Sequence, residues 1–334
     1  MRVLVTGGAG YIGSHIVRRL VAGGHEPVVL DDLSEGHAAA LPGGGRVTLV
    51  QGDMADPASL DKAMAGGRLD AAIHMAASCL VGESMRQPGR YYDNNVTRTL
   101  KLLQHLIERG TTRVVFSSTA AVYGEPGAGT APITETQRCV PTNVYGETKL
   151  AIERALHWHA RAGLLRAVSL RYFNAAGADT SGEIGEDHRE ETHLIPIVMA
   201  VALGRAREVT ILGEDYPTPD GTCLRDYIHV SDLAAAHILA LKAMESETSE
   251  LRIYNLGAQS AVSVLALIEQ ARRVTGRPIP ARAGARRPGD PPALLASSEK
   301  IRAELGWAPE HSSLETILRT AWNWHREHPG GYAG

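Results

Sequence analysis

Six short apolar runs, at residues 2–6, 27–31, 47–51, 71–75, 113–117 and 167–171, punctuate the first half of the chain. They are rich in Val, Leu and Ile and do not alternate with polar positions. Unbroken runs of this length suit strands of a parallel sheet covered on both faces. In the first gap Ile12, Ile16, Val17, Leu20 and Val21 share one helical face, and Gly23-Gly24 end the helix. A second amphipathic stretch at 96–107 offers Leu100, Leu103 and Ile107 as its inner side. The alternation predicts an α/β fold on a doubly wound parallel sheet of the Rossmann type.

Beyond about residue 174 the pattern loosens. Pro and Gly interrupt 204–221 and 276–292, with helical patches at 193–203, 233–244 and 262–274. A last helix from about Leu314 turns Ile317, Leu318, Ala321 and Trp322 inward. We expect residues 1–173 to form a cofactor-binding domain and residues 174–334 a smaller mixed α/β substrate region, with segments near 226–256 returning to the first domain.

A phosphate site is the first sign of chemistry. The first run leads directly into Gly7, Gly10 and Gly13, three residues apart each, and then into a predicted helix. A strand–glycine–helix turn of this spacing lets a pyrophosphate approach free N–H groups at a helix N-terminus. The second run ends at Asp31-Asp32, and Asp31 lies eighteen residues beyond Gly13. That is close to the interval of about 20 expected for an acid that accepts from ribose hydroxyls. With no Arg or Lys between Asp31 and His37, the site favours NAD over its 2′-phosphorylated form. Asp53, after the third run, is placed to meet the adenine.

Tyr145 and Lys149 stand at i and i+4, one face of a helix. A free phenol, with a pKa near ~10, is a weak base at neutral pH. A neighbouring ammonium favours the phenolate, which makes Tyr145 a candidate general base tuned by Lys149. At the end of the fifth run, Ser117, Ser118 and Thr119 can each share a proton with it. Together these residues fit oxidation of an alcohol to a ketone with hydride transfer to a nicotinamide.

Composition narrows the rest. The 334 residues are 44% hydrophobic and 21% charged, which is globular, and 34 basic against 37 acidic residues exclude a nucleic-acid coat. Cys79, Cys139 and Cys223 are too few and too scattered for a disulfide framework. No HExxH pair occurs, and His157 and His159 are two apart, so no metal is expected. Glycines follow Val3–Val5 at once and no apolar stretch reaches membrane length, so we expect neither a leader nor a membrane span, and a cytoplasmic location.

Longer motifs extend over nearly the whole chain: VTGGAGYIGSH, VGESM with YYDNNV, FSSTAAVYGE, PTNVYGETKLAIE, RYFNAAGA, IGEDHREETHLIP, DGTCLRDYIHVSDLA, YNLG and RRPGDPPALLASS. With them the chain resembles the extended short-chain dehydrogenase/reductase family, and within it the UDP-glucose 4-epimerases. The resemblance implies tightly bound NAD and a UDP-sugar substrate. Oxidation at C4, rotation of the 4-keto sugar and re-reduction would interconvert UDP-glucose and UDP-galactose. Tyr145, Lys149 and Thr119 fall on catalytic positions. Gly7, Gly10, Tyr11, Ile12, Gly13, Asp31, Asp32, Asp53, Met54, Ala76, Ala77, Asn94, Ser117 and Tyr172 fall on cofactor contacts. Asn174, His193, Leu194, Thr210, Leu212, Arg225, Tyr227, Arg287, Asp290 and Leu294 fall on the nucleotide-sugar site. A homodimer through helices at 94–109 and 145–161 is also implied.

Three positions bear on specificity. Cys79 stands where many members of this family carry Lys, and His193 where Asn is common. Leu294 occupies the position whose bulk limits the substituent at C2 of the sugar. UDP-glucuronic acid and UDP-N-acetylglucosamine are therefore alternative substrates. A dehydratase is less favoured because Ala120-Ala121, not an acid pair, follow Thr119. Intact Tyr145 and Lys149 argue against a noncatalytic NAD sensor.

Overall fold

The computed structural model describes residues 1–125, 131–245, 250–287 and 290–332; Pro288 and Gly289 of the RRPGDPP motif lie outside them. The strands are β1 (Arg2–Thr6), β2 (Glu26–Asp31), β3 (Thr48–Gln51), β4 (Ala71–His74), β5 (Arg113–Thr119), β6 (Arg166–Tyr172), β7 (Asn174–Ala176), β8 (Val209–Leu212), β9 (Leu224–His229), β10 (Leu251–Leu256), β11 (Ala261–Ser263), β12 (Ala281–Gly284) and β13 (Ala293–Leu294). The α-helices are α1 (Tyr11–Ala22), α2 (Pro57–Met64), α3 (Val81–Arg86), α4 (Pro88–Tyr91), α5 (Arg98–Glu108), α6 (Val144–Arg161), α7 (Leu194–Ala202), α8 (Val230–Ala243), α9 (Val264–Thr275), α10 (Glu299–Leu305) and α11 (Leu314–Glu327).

Seven parallel strands form the main sheet in the order β10-β6-β5-β4-β1-β2-β3. The unbroken apolar runs are explained by its two covers. Val3 and Val5 pack with Ile16, Val17 and Leu20 of α1 and with Leu233 and Ala236 of α8. Leu4 faces the other way, into Leu60 of α2 and Leu102 and Leu106 of α5. Val114 and Phe116 meet Ile152 and Leu156 of α6 on that second face. Both sets are fully buried, so alternation has no solvent side to record.

The predicted inner side of the 96–107 stretch is corrected. Residues Tyr92–Thr97 form a π turn ahead of α5. Leu102, Leu103 and Leu106 are buried, whereas Leu100 is 38% exposed and Ile107 is half-buried. A π turn holds more than 3.6 residues, so it shifts the phase of the buried stripe.

The second lobe is built around the strands that flank β9. β11 pairs with it antiparallel, and β13 and β7 run parallel to it. A separate parallel pair joins β12 to β8. Helices α7, α9 and α11 share a core of Val198, Met199, Leu267, Ile268, Ile317 and Leu318. After β9 the chain goes back to the first lobe: α8 lies on α1, and β10 pairs with β6. Among the described residues no helix is long and apolar enough to cross a membrane.

Candidate active site

The three glycines after β1 do different work. Gly7 has a φ of +68°, and a Cβ there would stand 2.6 Å from the Ala76 nitrogen, so it is the turn. At Gly13 a Cβ would sit 2.2 Å from the Gly7 carbonyl oxygen, which makes Gly13 the close contact between helix and loop. Gly10 is open: the one atom within 4 Å of a Cβ is the Gly7 carbonyl oxygen, at 3.4 Å. No side chain caps the N-terminus of α1. An open loop before an uncapped helix fits a pyrophosphate. Gly13→Ala is accordingly expected to purify with at least about tenfold less bound dinucleotide, because a backbone overlap cannot be relieved by a rotamer. Chromatography of nucleotides released on denaturation measures this.

The two acids at the end of β2 part company. Asp31 is buried and accepts from the Ala9 and Leu33 amides at 2.9 Å each; burial pushes its pKa up, against those hydrogen bonds. Asp32 is exposed and bound to the Ser34 amide and hydroxyl. Asp31 is thus the one built into the loop beside the glycines. Asp53 pairs with Arg98 at 2.9 Å and accepts from the Ala55 amide. Met54 is buried beside Leu60 and Leu102. Ala76 donates its amide to the Thr6 carbonyl, and Ala77 is half-buried. The Asn94 amide reaches the Ser78 hydroxyl. Tyr11 opens α1 ahead of Ile12, and its hydroxyl donates to the Gly177 carbonyl at 2.6 Å, tying the glycine loop to the chain after β7.

Among the three hydroxyls ending β5, Thr119 is the one near enough to the Tyr145 phenol to favour its ionised form. Ser117 lies against Lys149, whose Nζ donates to the Ser117 carbonyl at 2.7 Å and its hydroxyl at 3.2 Å. The Ser118 hydroxyl is buried without a partner among the described residues. Tyr145 and Lys149 share one face of α6, with Nζ 5.9 Å from the phenol ring centre. Burial dominates both groups. It lowers Lys149 to about 8, and it raises Tyr145 well above the usual tyrosine range, opposed by the nearby Thr119 hydroxyl. Burial, rather than charge, is the first influence on the phenol. The Tyr172 hydroxyl is bound to His237, and Cys79 is charge-coupled to both Tyr145 and Lys149.

In the second lobe Asn174 donates to the Asp226 carbonyl at 2.9 Å and Tyr227 is buried. Arg225 is already engaged, by Asp290 and by the Leu224 and Pro291 carbonyls. In the basic run, Arg282 pairs with Glu208, and Arg286 pairs with Asp215 and stacks on Tyr216. Arg287 is exposed and has no ion pair among the described residues, yet it lies within charge reach of His193. His193 precedes α7 and Leu194 begins it. Its Nδ1 is 2.6 Å from Glu186; burial lowers its pKa, but the hydrogen bond and charge of Glu186 outweigh that and bring it to about 9. Thr210 is exposed on β8 and Leu212 half-buried, and Leu294 lies opposite Arg225 on β13. The spacing of single motifs misses Glu153 and Arg171, which sit behind the Lys149 end of α6 as a buried ion pair.

Similarity to known proteins agrees with this layout. The NAD dependent epimerase/dehydratase family matches residues 3–257. A UDP-glucose 4-epimerase of Halalkalibacterium halodurans is 53% identical over 333 residues, 100% of this chain and 98% of its own. A crystal structure of a UDP-glucose 4-epimerase superposes with a TM-score of 0.95 at 48% identity, covering 100% of both chains. The Brucella ovis UDP-glucose 4-epimerase in complex with NAD gives 0.91 at 46% identity, over 96% of this chain and 97% of that one.

Proposed function

The chain belongs to the NAD dependent epimerase/dehydratase family, and from that membership we propose that it interconverts UDP-glucose and UDP-galactose by inversion at C4. The observation that carries the reading is the placement of Tyr145 near Thr119 at the end of β5, with Lys149 on the same helix face bonded to Ser117, at the same end of the sheet as an open glycine loop. Bound NAD supplies a reversible hydride acceptor. Asp31 and the amides at the start of α1 hold the dinucleotide. Tyr145 takes the proton of the sugar 4-hydroxyl and later returns it, and Thr119 keeps the phenol oriented between the two transfers. The 4-keto sugar turns about its diphosphate, so the nucleotide is gripped firmly and the hexose loosely.

Of the two arginines assigned to the diphosphate, Arg287 has no ion pair among the described residues, whereas Arg225 is held by Asp290. Arg287→Met is expected to raise KM for the UDP-sugar about 10- to 100-fold, the worth of one charge-assisted hydrogen bond. Its thermal midpoint should not move, because Arg287 is exposed and its side chain makes no hydrogen bond or ion pair among the described residues. Steady-state kinetics beside a melting curve measures both, and an unchanged KM removes Arg287 from the site.

A second reading, turnover of UDP-N-acetylglucosamine, is favoured by Leu294, which is smaller than an aromatic residue. Separate incubations with UDP-glucose, UDP-glucuronate and UDP-N-acetylglucosamine, followed by product chromatography, decide between them. Conversion of the uronate alone would overturn the proposal. The division of labour follows: residues 1–173 with the returning segment carry the cofactor, and the remainder of 174–334 the UDP-sugar. We also infer a cytoplasmic homodimer on the helices at 94–109 and 145–161. Leu100 and Trp158, exposed apolar side chains on α5 and α6, support that surface, and sedimentation equilibrium tests it.

A further inference from the structure

The loop between β7 and α7 carries Glu186, His188, Glu191 and His193, and one ligand atom from each lies within 4.8 Å of all the others. The separations are short. His193 Nδ1 is 2.6 Å from Glu186 and 3.7 Å from Glu191, while His188 Nδ1 is 3.5 Å from Glu186 and 3.3 Å from Glu191. Both imidazoles thus aim the same nitrogen at the same two carboxylates. Among the described residues neither glutamate meets a Lys or Arg at ion-pair distance, although the Glu186 side chain is only 4% exposed. The imidazoles are therefore the groups that balance these two carboxylates, and a bound dication would take over that role.

We propose that these four side chains bind one divalent transition-metal ion of the zinc class. Tetrahedral coordination with bonds of about 2.0–2.1 Å puts neighbouring ligand atoms roughly 3.3–3.5 Å apart. Three of the four imidazole–carboxylate separations, at 3.3, 3.5 and 3.7 Å, are near that spacing, and the 2.6 Å His193–Glu186 hydrogen bond would open to admit the ion. Two imidazoles favour zinc or its neighbours over magnesium and calcium, which take mostly oxygen. Two carboxylates, two neutral imidazoles and a dication make a site of zero net charge.

The loop is braced for the task. The Trp324 indole donates to the Glu186 carbonyl at 3.1 Å, Tyr332 bonds both backbone groups of Gly185, and His37 from the first lobe lies 3.5 Å from the Asp187 carboxylate. The Tyr11 ring packs edge-on to His188. A metal here would close the 186–193 loop on itself ahead of Leu194 and fix the His188 ring that packs against Tyr11. It stands apart from proton transfer at Tyr145, and it does not depend on which sugar is turned over.

The test uses untagged full-length protein, stripped with EDTA, desalted and titrated with Zn2+ and with Co2+. We expect one Zn2+ per chain by elemental analysis and the strong visible absorption of four-coordinate Co2+. His188→Ala and the near-isosteric Glu191→Gln should each weaken Zn2+ binding at least about tenfold, with circular dichroism and NAD content reporting that the fold is kept. The Co2+ spectrum is read on the unaltered chain, so it needs no variant to fold. Failure to bind stoichiometric metal, a weak octahedral Co2+ spectrum, or undiminished binding in both variants overturns the proposal.

Discussion

Tyr145→Phe is expected to cut epimerisation by about 10²- to 10⁴-fold, the usual contribution of a positioned general base, while the purified protein still carries NAD. The substitution removes one oxygen and leaves the ring. Lys149 keeps its bonds to Ser117, and the backbone nitrogen of residue 145 keeps its bond to the Ser84 hydroxyl. Neither the glycine loop nor Asp31 is touched, so cofactor retention should be unchanged. The loss should fall on kcat, because the phenol acts on the reacting hydroxyl and not on the nucleotide. The free chain holds the phenol proton tightly, since burial outweighs the influence of the Thr119 hydroxyl. Proton abstraction near neutral pH therefore draws on positive charge that enters with the cofactor. Product chromatography and released-nucleotide analysis on the same preparation separate chemistry from cofactor loss. Full activity in the variant would sink the mechanism.

Much of this was legible in the sequence, and the reason is burial. Strands covered on both faces leave continuous apolar runs, so β1, β5 and β6 lie within two residues of the runs that predict them. The strand β9 left no such mark. All six of its residues are buried, yet Arg225, Asp226 and His229 are among them. Their polarity is satisfied from far along the chain. Asp226 accepts the amides of Ala258, Gln259 and Ala296, and His229 meets Thr320. Partners that distant are invisible to local patterning. The π turn before α5 hid in another way, since a period of 3.6 residues cannot reveal where an extra residue enters a turn. At the site, the Tyr145–Lys149 spacing was plain; the residues alone left Ser117, Ser118 and Thr119 open, and Thr119 came from the family resemblance. The Glu186–His193 quartet lies on a loop, outside the helical spacing rules applied to histidine pairs.

Glu153→Ala is expected to be the most destabilising single change, by about 3–5 kcal/mol, the cost of leaving one member of a buried ion pair alone. Glu153 continues the i,i+4 series from Tyr145 and Lys149 along α6. It accepts from the Arg171 guanidinium at 3.0 and 2.6 Å and from the Ser169 hydroxyl at 2.8 Å. Both charged side chains are under 5% exposed. Arg171 in turn donates to the Tyr123 hydroxyl, and Tyr123 to Asn255 on β10. One network thus ties the helix that carries the base to two strands, β6 and β10, and to the turn after β5. Removing Glu153 strands a guanidinium with no route to water. Removing both charges does not, so Glu153→Ala with Arg171→Met should lose less stability than Glu153→Ala alone. Denaturant midpoints of the two single variants and the double variant measure the coupling. Strict additivity would show that the pair is not what fixes α6. Because the network positions α6 without touching substrate, the surviving folded fraction of the single variant should show a lower kcat at a nearly unchanged KM.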